Sequence, residues 1–112
     1  MNTAFIRFLN LIDSLDRMNP GRKLDELERE LVEHILRCTS EGQVLLVGDL
    51  LQLNKLGSQA TIHGRVKNLS ALGYINLVTD KGDGRRKFVT PTKMAFKYSE
   101  FMSKCLERAL RT

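Results

Sequence analysis

Residues 58–91 read SQATIHGRVKNLSALGYINLVTDKGDGRRKFVTP, and this stretch decides the fold. Ser58 is a good N-cap, because its hydroxyl accepts a backbone N–H that the first helical turn leaves without a partner. Ile62, Val66, Leu69 and Leu72 then recur at helical spacing and define one buried face. Gly73 suits the left-handed position that closes such a helix. Two short strands are expected next, Tyr74–Thr79 and Arg86–Thr90, and the glycine-rich, charged segment 80–85 between them predicts a β-hairpin with a longer loop. Pro91 ends the second strand.

The pattern extends in both directions. Upstream, residues 3–18 form an apolar helix carrying Phe5, Phe8, Leu9, Ile12 and Leu15, widened by Ala4, Ile6, Leu11 and Met18. A helix this apolar needs cover on more than one side, and a partner chain is a natural source of it. Asn19-Pro20-Gly21 turns the chain. Asp25 is the expected N-cap of the next helix, with Glu28 three residues on as its capping-box partner. That helix runs Leu27, Leu31, Ile35 and Cys38 along one face and ends near Glu41-Gly42. Residues 43–47 read as one short strand, and a brief helix follows from Gly48 to about Asn54. Downstream, Thr92 is the expected cap of a last helix. Its apolar residues Met94, Tyr98, Phe101, Met102, Cys105, Leu106, Ala109 and Leu110 alternate by three and four, close to a coiled-coil seam.

The order is helix, helix, strand, helix, helix, hairpin, helix. This predicts an α+β fold, mostly α: a winged helix-turn-helix, with a three-helix core and a β-hairpin wing. Residues 1–112 are expected to be one domain, with an N-terminal dimerisation helix at 1–18, the winged core at 24–91 and a C-terminal dimerisation helix at 92–112. Phe5, Phe8, Leu9, Ile12, Tyr98, Phe101, Met102, Cys105 and Leu106 are the expected interface of a homodimer.

Charge agrees with this division. The chain carries a net charge of +5, but residues 54–97 alone hold nine basic and two acidic residues, a net of +7. A basic half beside a near-neutral half points to a module that binds a polyanion, joined to a scaffold. Opposite the buried face of the helix after Ser58 lie Ala60, Thr61, His63, Gly64, Lys67, Asn68 and Ala71. Small and polar residues in the first two turns let a helix sit deep in the major groove of duplex DNA and offer donors and acceptors to base edges. Gly64 costs about 1 kcal/mol against Ala inside a helix. Close approach to a phosphate backbone accounts for that cost, and so does a tight contact with another protein segment. Arg65 lies nearer the buried flank and is expected to reach a phosphate or pair with an acid. In the hairpin, Asp83 stands two residues before Arg85 and can hold it or the loop backbone in place. Arg85 is then positioned to enter a narrow minor groove, with Lys81, Arg86 and Lys87 as further phosphate contacts.

Residues 24–95 resemble the winged-helix core of the MarR (multiple antibiotic resistance regulator) family. The resemblance is carried by Ser58-Gln59-Ala60-Thr61-Ile62 through Leu69, then Leu72-Gly73-Tyr74-Ile75, Asp83-Gly84-Arg85, and Pro91-Thr92 with Ala95. It implies a homodimer built from the first and last helices, with wings straddling a palindromic site on double-stranded DNA. It also implies a small-molecule pocket between the dimer helices and the winged core, whose effector no residue identifies. The expected DNA-binding residues are therefore Ser58, Gln59, Ala60, Thr61, His63, Gly64, Lys67 and Asn68 on the helix, and Lys81, Asp83, Arg85, Arg86 and Lys87 on the wing. The expected function is a sequence-specific transcriptional repressor. Gly64 departs from the family pattern, which often has arginine there, and so does Leu77, where a basic residue is frequent.

Other readings are weaker. There is no phosphate loop, nucleophile elbow or zinc-ligand spacing, so neither an enzyme nor a cofactor or metal site is expected. Glu30 and His34 are four apart on one helix, which a metal can use but a surface pair explains as well. Cys38 and Cys105 fall on apolar faces and are expected in the core or the dimer interface; a redox role would need a nearby cation such as Arg37 or Lys104. No membrane span or secretory signal is expected, which places the chain in the cytoplasm. A winged helix serving as a protein–protein module, or as a replication or partition accessory, shares the fold and stays open.

Overall fold

The computed structural model describes residues 2–111. In chain order the elements are α1 (Ala4–Ser14), a 3₁₀ turn (Asp16–Met18), α2 (Glu26–Ser40), α3 (Val47–Leu51), α4 (Gln59–Leu72), β1 (Ile75–Thr79), β2 (Lys87–Pro91) and α5 (Lys93–Ala109). The strands pair antiparallel, with Leu77 opposite Val89 and Thr79 opposite Lys87 at the open end. The fold is thus the expected mostly α winged helix.

The core lies where α2, α3, α4, the base of the hairpin and the start of α5 meet. Leu31, Ile35, Leu50, Ile62, Val66 and Leu69 are fully enclosed there, with Ile75 and Val89 closing the hairpin side. The capping box forms as expected: Asp25 accepts from the Glu28 N–H, and Glu28 accepts from the Asp25 N–H. At the end of α4, Gly73 takes φ 89°. The Gly73 N–H donates to the Ser70 carbonyl and the Tyr74 N–H to the Leu69 carbonyl, a Schellman motif. That second bond uses the Tyr74 N–H, and β1 begins at Ile75, one residue later than expected.

Other expectations change too: α3 ends at Leu51 and β2 includes Pro91. The first helix does not run unbroken to residue 18. Pro20 disfavours helical geometry at Asn19, which is extended, and the last turn before it tightens to 3₁₀. Residues 43–47 do not form a strand. The Val89 N–H donates to the Leu45 carbonyl, a single bridge pairs Leu46 with Phe88, and Val47 already belongs to α3. Thr92 does not cap α5 with its side chain; its hydroxyl donates 2.5 Å to the Gly73 carbonyl and ties the start of α5 to the end of α4. Tyr98 and Cys105 do not face outward. They share one face of α5 with Ala95 and Ala109, and all four are buried within this chain.

The molecule is elongated. Its radius of gyration is 15.6 Å, against about 13 Å for a compact chain of this length. α1 packs along α5. Thr3 caps α1, and the Arg7 guanidinium donates 2.7 Å to the Ala109 carbonyl at the end of α5.

Candidate nucleic-acid interface

Every candidate residue on α4 reaches solvent: Ser58, Gln59, Ala60, Thr61, His63, Gly64, Lys67 and Asn68 are all exposed, while Ile62, Val66 and Leu69 face the core. Ser58 Oγ accepts the Thr61 N–H at 3.2 Å and donates to Thr61 Oγ1 at 2.9 Å, so cap and first-turn side chain form one unit. A Cβ added at Gly64 would meet nothing within 4 Å. No tight contact within this chain therefore accounts for a glycine there.

Two residues near that face are turned back toward the scaffold. Arg65 Nε lies 2.8 Å from Asp25 Oδ2, an ion pair without the alignment of a hydrogen bond. This is the acid partner expected of it. The Asn68 amide donates to Glu28 Oε2, so one of its two donors points at α2 and away from solvent. The spacing on α4 alone places Asn68 on the outer face and gives no hint of this partner.

The wing is organised by its own acids. Asp83 Oδ1 accepts the Arg85 N–H at 3.0 Å and lies 3.4 Å from Arg85 Nε. Asp80 accepts the Gly82 N–H at 2.8 Å and stands 3.8 Å from Arg86. Asp83 is half-buried, whereas Lys81, Arg86 and Lys87 are exposed and the Arg85 side chain is 94% exposed. Exposed pairs of this kind hold a guanidinium loosely and leave it available to a phosphate.

The helix and the wing share a cleft of about 460 Å³, lined by His63 from α4, by Arg85, Arg86 and Lys87 from the wing, and by Asp49 and Gln52 from α3 and its end. Asp49 and Gln52 were not expected. Asp49 accepts the Leu46 N–H at 2.9 Å and so caps α3. Their only sequence signal is their place on the helix that precedes a recognition-type helix.

A second cleft, also about 460 Å³, lies between α1, α2 and α5 and is lined by Phe8, Glu33, Leu36, Tyr98, Met102 and Leu106. The Tyr98 hydroxyl points to Glu33 at 3.4 Å. Burial, and next the Glu33 carboxylate, push the Tyr98 phenol up to about 12. On α2, His34 Nε2 sits 3.5 Å from Cys38 Sγ. Among the described residues no group of three His, Cys, Asp or Glu side chains is placed to hold a metal ion, and no helix is long and apolar enough to cross a membrane.

This architecture, an exposed α4 face and a charged hairpin on one side with α1 against α5 on the other, is that of a winged helix. No protein-family model matches the sequence, and no curated protein sequence does either. Solved structures are similar in fold. Heme-free PefR, from a protein of Streptococcus agalactiae described as a heme sensor, is 19% identical, with a TM-score of 0.66 over 90% of this chain and 81% of that one. The transcriptional regulator Tm0710 of Thermotoga maritima is 23% identical, with a TM-score of 0.63 over 93% of this chain and 73% of that one. A MarR protein of Peptoclostridium difficile is 21% identical, with a TM-score of 0.60 over 94% and 62%.

Proposed function

We propose that the chain is a sequence-specific, double-stranded DNA-binding transcriptional repressor that acts as a homodimer on a palindromic site. The observation that carries this reading is the shared cleft: His63 on α4 and Arg85, Arg86 and Lys87 on the wing open onto one face. In the bound state α4 enters the major groove with Thr61, His63, Gly64 and Lys67 toward the bases. Gly64, with open space before it, admits the closest approach. Arg85, held at the wing tip by Asp83, enters the adjacent minor groove, and Lys81, Arg86 and Lys87 meet phosphates.

Dimerisation is supported by α1, which has no buried residue although Phe5 is 64% and Leu9 44% exposed. Phe5, Phe8, Leu9, Ile12, Phe101, Met102 and Leu106 form the interface, without Tyr98 and Cys105. A small-molecule effector would occupy the cleft between α1, α2 and α5, where the first and last helices meet the winged core. The +7 segment favours DNA over a protein partner, since phosphate neutralisation drives such binding.

The test is selection from a random duplex library by the purified protein. The reading predicts enrichment of an inverted repeat whose half-sites are one helical turn apart, bound by two chains. Enrichment of no sequence contradicts it.

A further inference from the structure

Two carboxylates at the start of α2 each divide their oxygens between two tasks. Asp25 Oδ1 accepts the Glu28 N–H at 2.8 Å, and Glu28 Oε1 accepts the Asp25 N–H at 3.0 Å, which caps α2. Their other oxygens leave α2 altogether. Asp25 Oδ2 lies 2.8 Å from Arg65 Nε, and Glu28 Oε2 accepts from the Asn68 amide. Arg65 and Asn68 are three apart on α4, as Asp25 and Glu28 are three apart at the start of α2, so the spacings match and the contacts form a two-rung ladder. Gly64 and Lys67 each precede a rung by one residue and face solvent.

We propose that this ladder positions the recognition helix: it fixes the rotation of α4 about its own axis and thereby decides which base edges His63, Gly64 and Lys67 meet. The proposal rests on the reading of α4 as the DNA-contacting helix. Asn68 is on this account a positioning residue that contacts no base. A rotation of about 20° moves a side-chain tip on the rim of a helix by about 2 Å, enough to break a hydrogen bond to a base. The two rungs differ in strength. Both partners of the Asp25–Arg65 rung are 44% exposed and are screened by salt. Glu28 is 3% exposed, and a buried carboxylate that loses its donor is costly, so this rung holds its geometry. The start of α2 is itself anchored: the Tyr74 hydroxyl donates to the Pro20 carbonyl, and a Cβ on Gly21 would collide with the Tyr98 ring.

The test uses the full chain and three variants. Glu28→Gln keeps the oxygen that accepts the Asp25 N–H but turns an amide toward the Asn68 amide. Asn68→Asp sets a carboxylate against Glu28. The double variant restores a donor–acceptor pair with its polarity reversed. The readout is the ratio of affinities for the selected site and for random duplex of equal length, at one salt concentration. Each single variant is expected to lose about tenfold of this ratio, the scale of one mismatched base pair, and the double variant is expected to recover it. An unchanged ratio in both singles overturns the proposal. A loss in the double as large as in Asn68→Asp overturns it too, because residue 68 would then read a base itself. If the native chain binds no duplex, the DNA reading fails separately, and the ladder is judged by amide hydrogen exchange in α4. Faster exchange in both singles with recovery in the double supports the ladder; equal exchange in all four proteins overturns it.

Discussion

The winged core and α1 are built on opposite principles. In the core, Leu31, Leu50, Ile62, Val66 and Leu69 have essentially no exposed surface, and their partners come from elements far apart in the chain. In α1, apolar residues are as dense, yet none is buried. Two comparably apolar segments therefore meet different fates in one molecule. The core completes itself, and α1 leaves an apolar face that only another surface can complete. The same contrast holds within α5, whose Tyr98–Cys105–Ala109 face is closed by this chain while Leu106, and Leu110 at its C-cap, remain exposed.

The contrast can be broken most sharply at Leu9. Each Leu buried in an interface contributes about 1.5–3 kcal/mol, and a symmetric dimer counts it twice. Leu9→Asp is expected to convert the proposed homodimer to monomer in sedimentation equilibrium while leaving most of the helical circular dichroism intact. Loss of the whole helical signal would show that core and α1 are one cooperative unit. Leu69→Ala is the counterpart in the core. It is expected to cost about 2–5 kcal/mol in urea unfolding and to do so equally in the Leu9→Asp background.

Tyr98 joins the two regions, and its titration sharpens the comparison. Burial and Glu33 raise its phenol from 10.0 to about 12 in the folded chain. The neutral form is thus favoured by folding, so its contribution is complete below pH 10 and is lost as the pH rises from 10 through about 12. A rise of this size corresponds to about 3 kcal/mol at most. Tyr98→Phe is expected to flatten this alkaline fall in stability; an identical fall in the variant would place its cause elsewhere. The smallest effect is expected at Gly64. Gly64→Ala should stabilise the isolated protein by about 1 kcal/mol, since a methyl group there meets nothing within the chain, and should weaken duplex binding. Equal binding would remove the closest approach from Gly64.

Much of this was legible because local chemistry and tertiary packing agree. Ser58, Gly73, Asp25 and Glu28 act through bonds to residues within a few positions, and the Ile62–Val66–Leu69 face follows from helical spacing alone. What was not legible depends on elements distant in sequence. The seam of α5 reads as one stripe, but Tyr98 and Cys105 are buried within this chain while Leu106 stays half exposed. The apolar run 43–47 has the composition of a strand, yet only a single bridge at Leu46 forms before α3 begins. Asn68 looks outward until Glu28, 40 residues earlier, is brought beneath it.

The most direct test of the DNA reading is fluorescence anisotropy with random duplex at several salt concentrations, for the native chain and Arg85→Ala. The account predicts affinity that falls steeply as salt rises, with Arg85→Ala binding more weakly and with a shallower salt dependence. No binding by the native chain even at low salt would contradict it, and the α4–wing face would then belong to a protein partner.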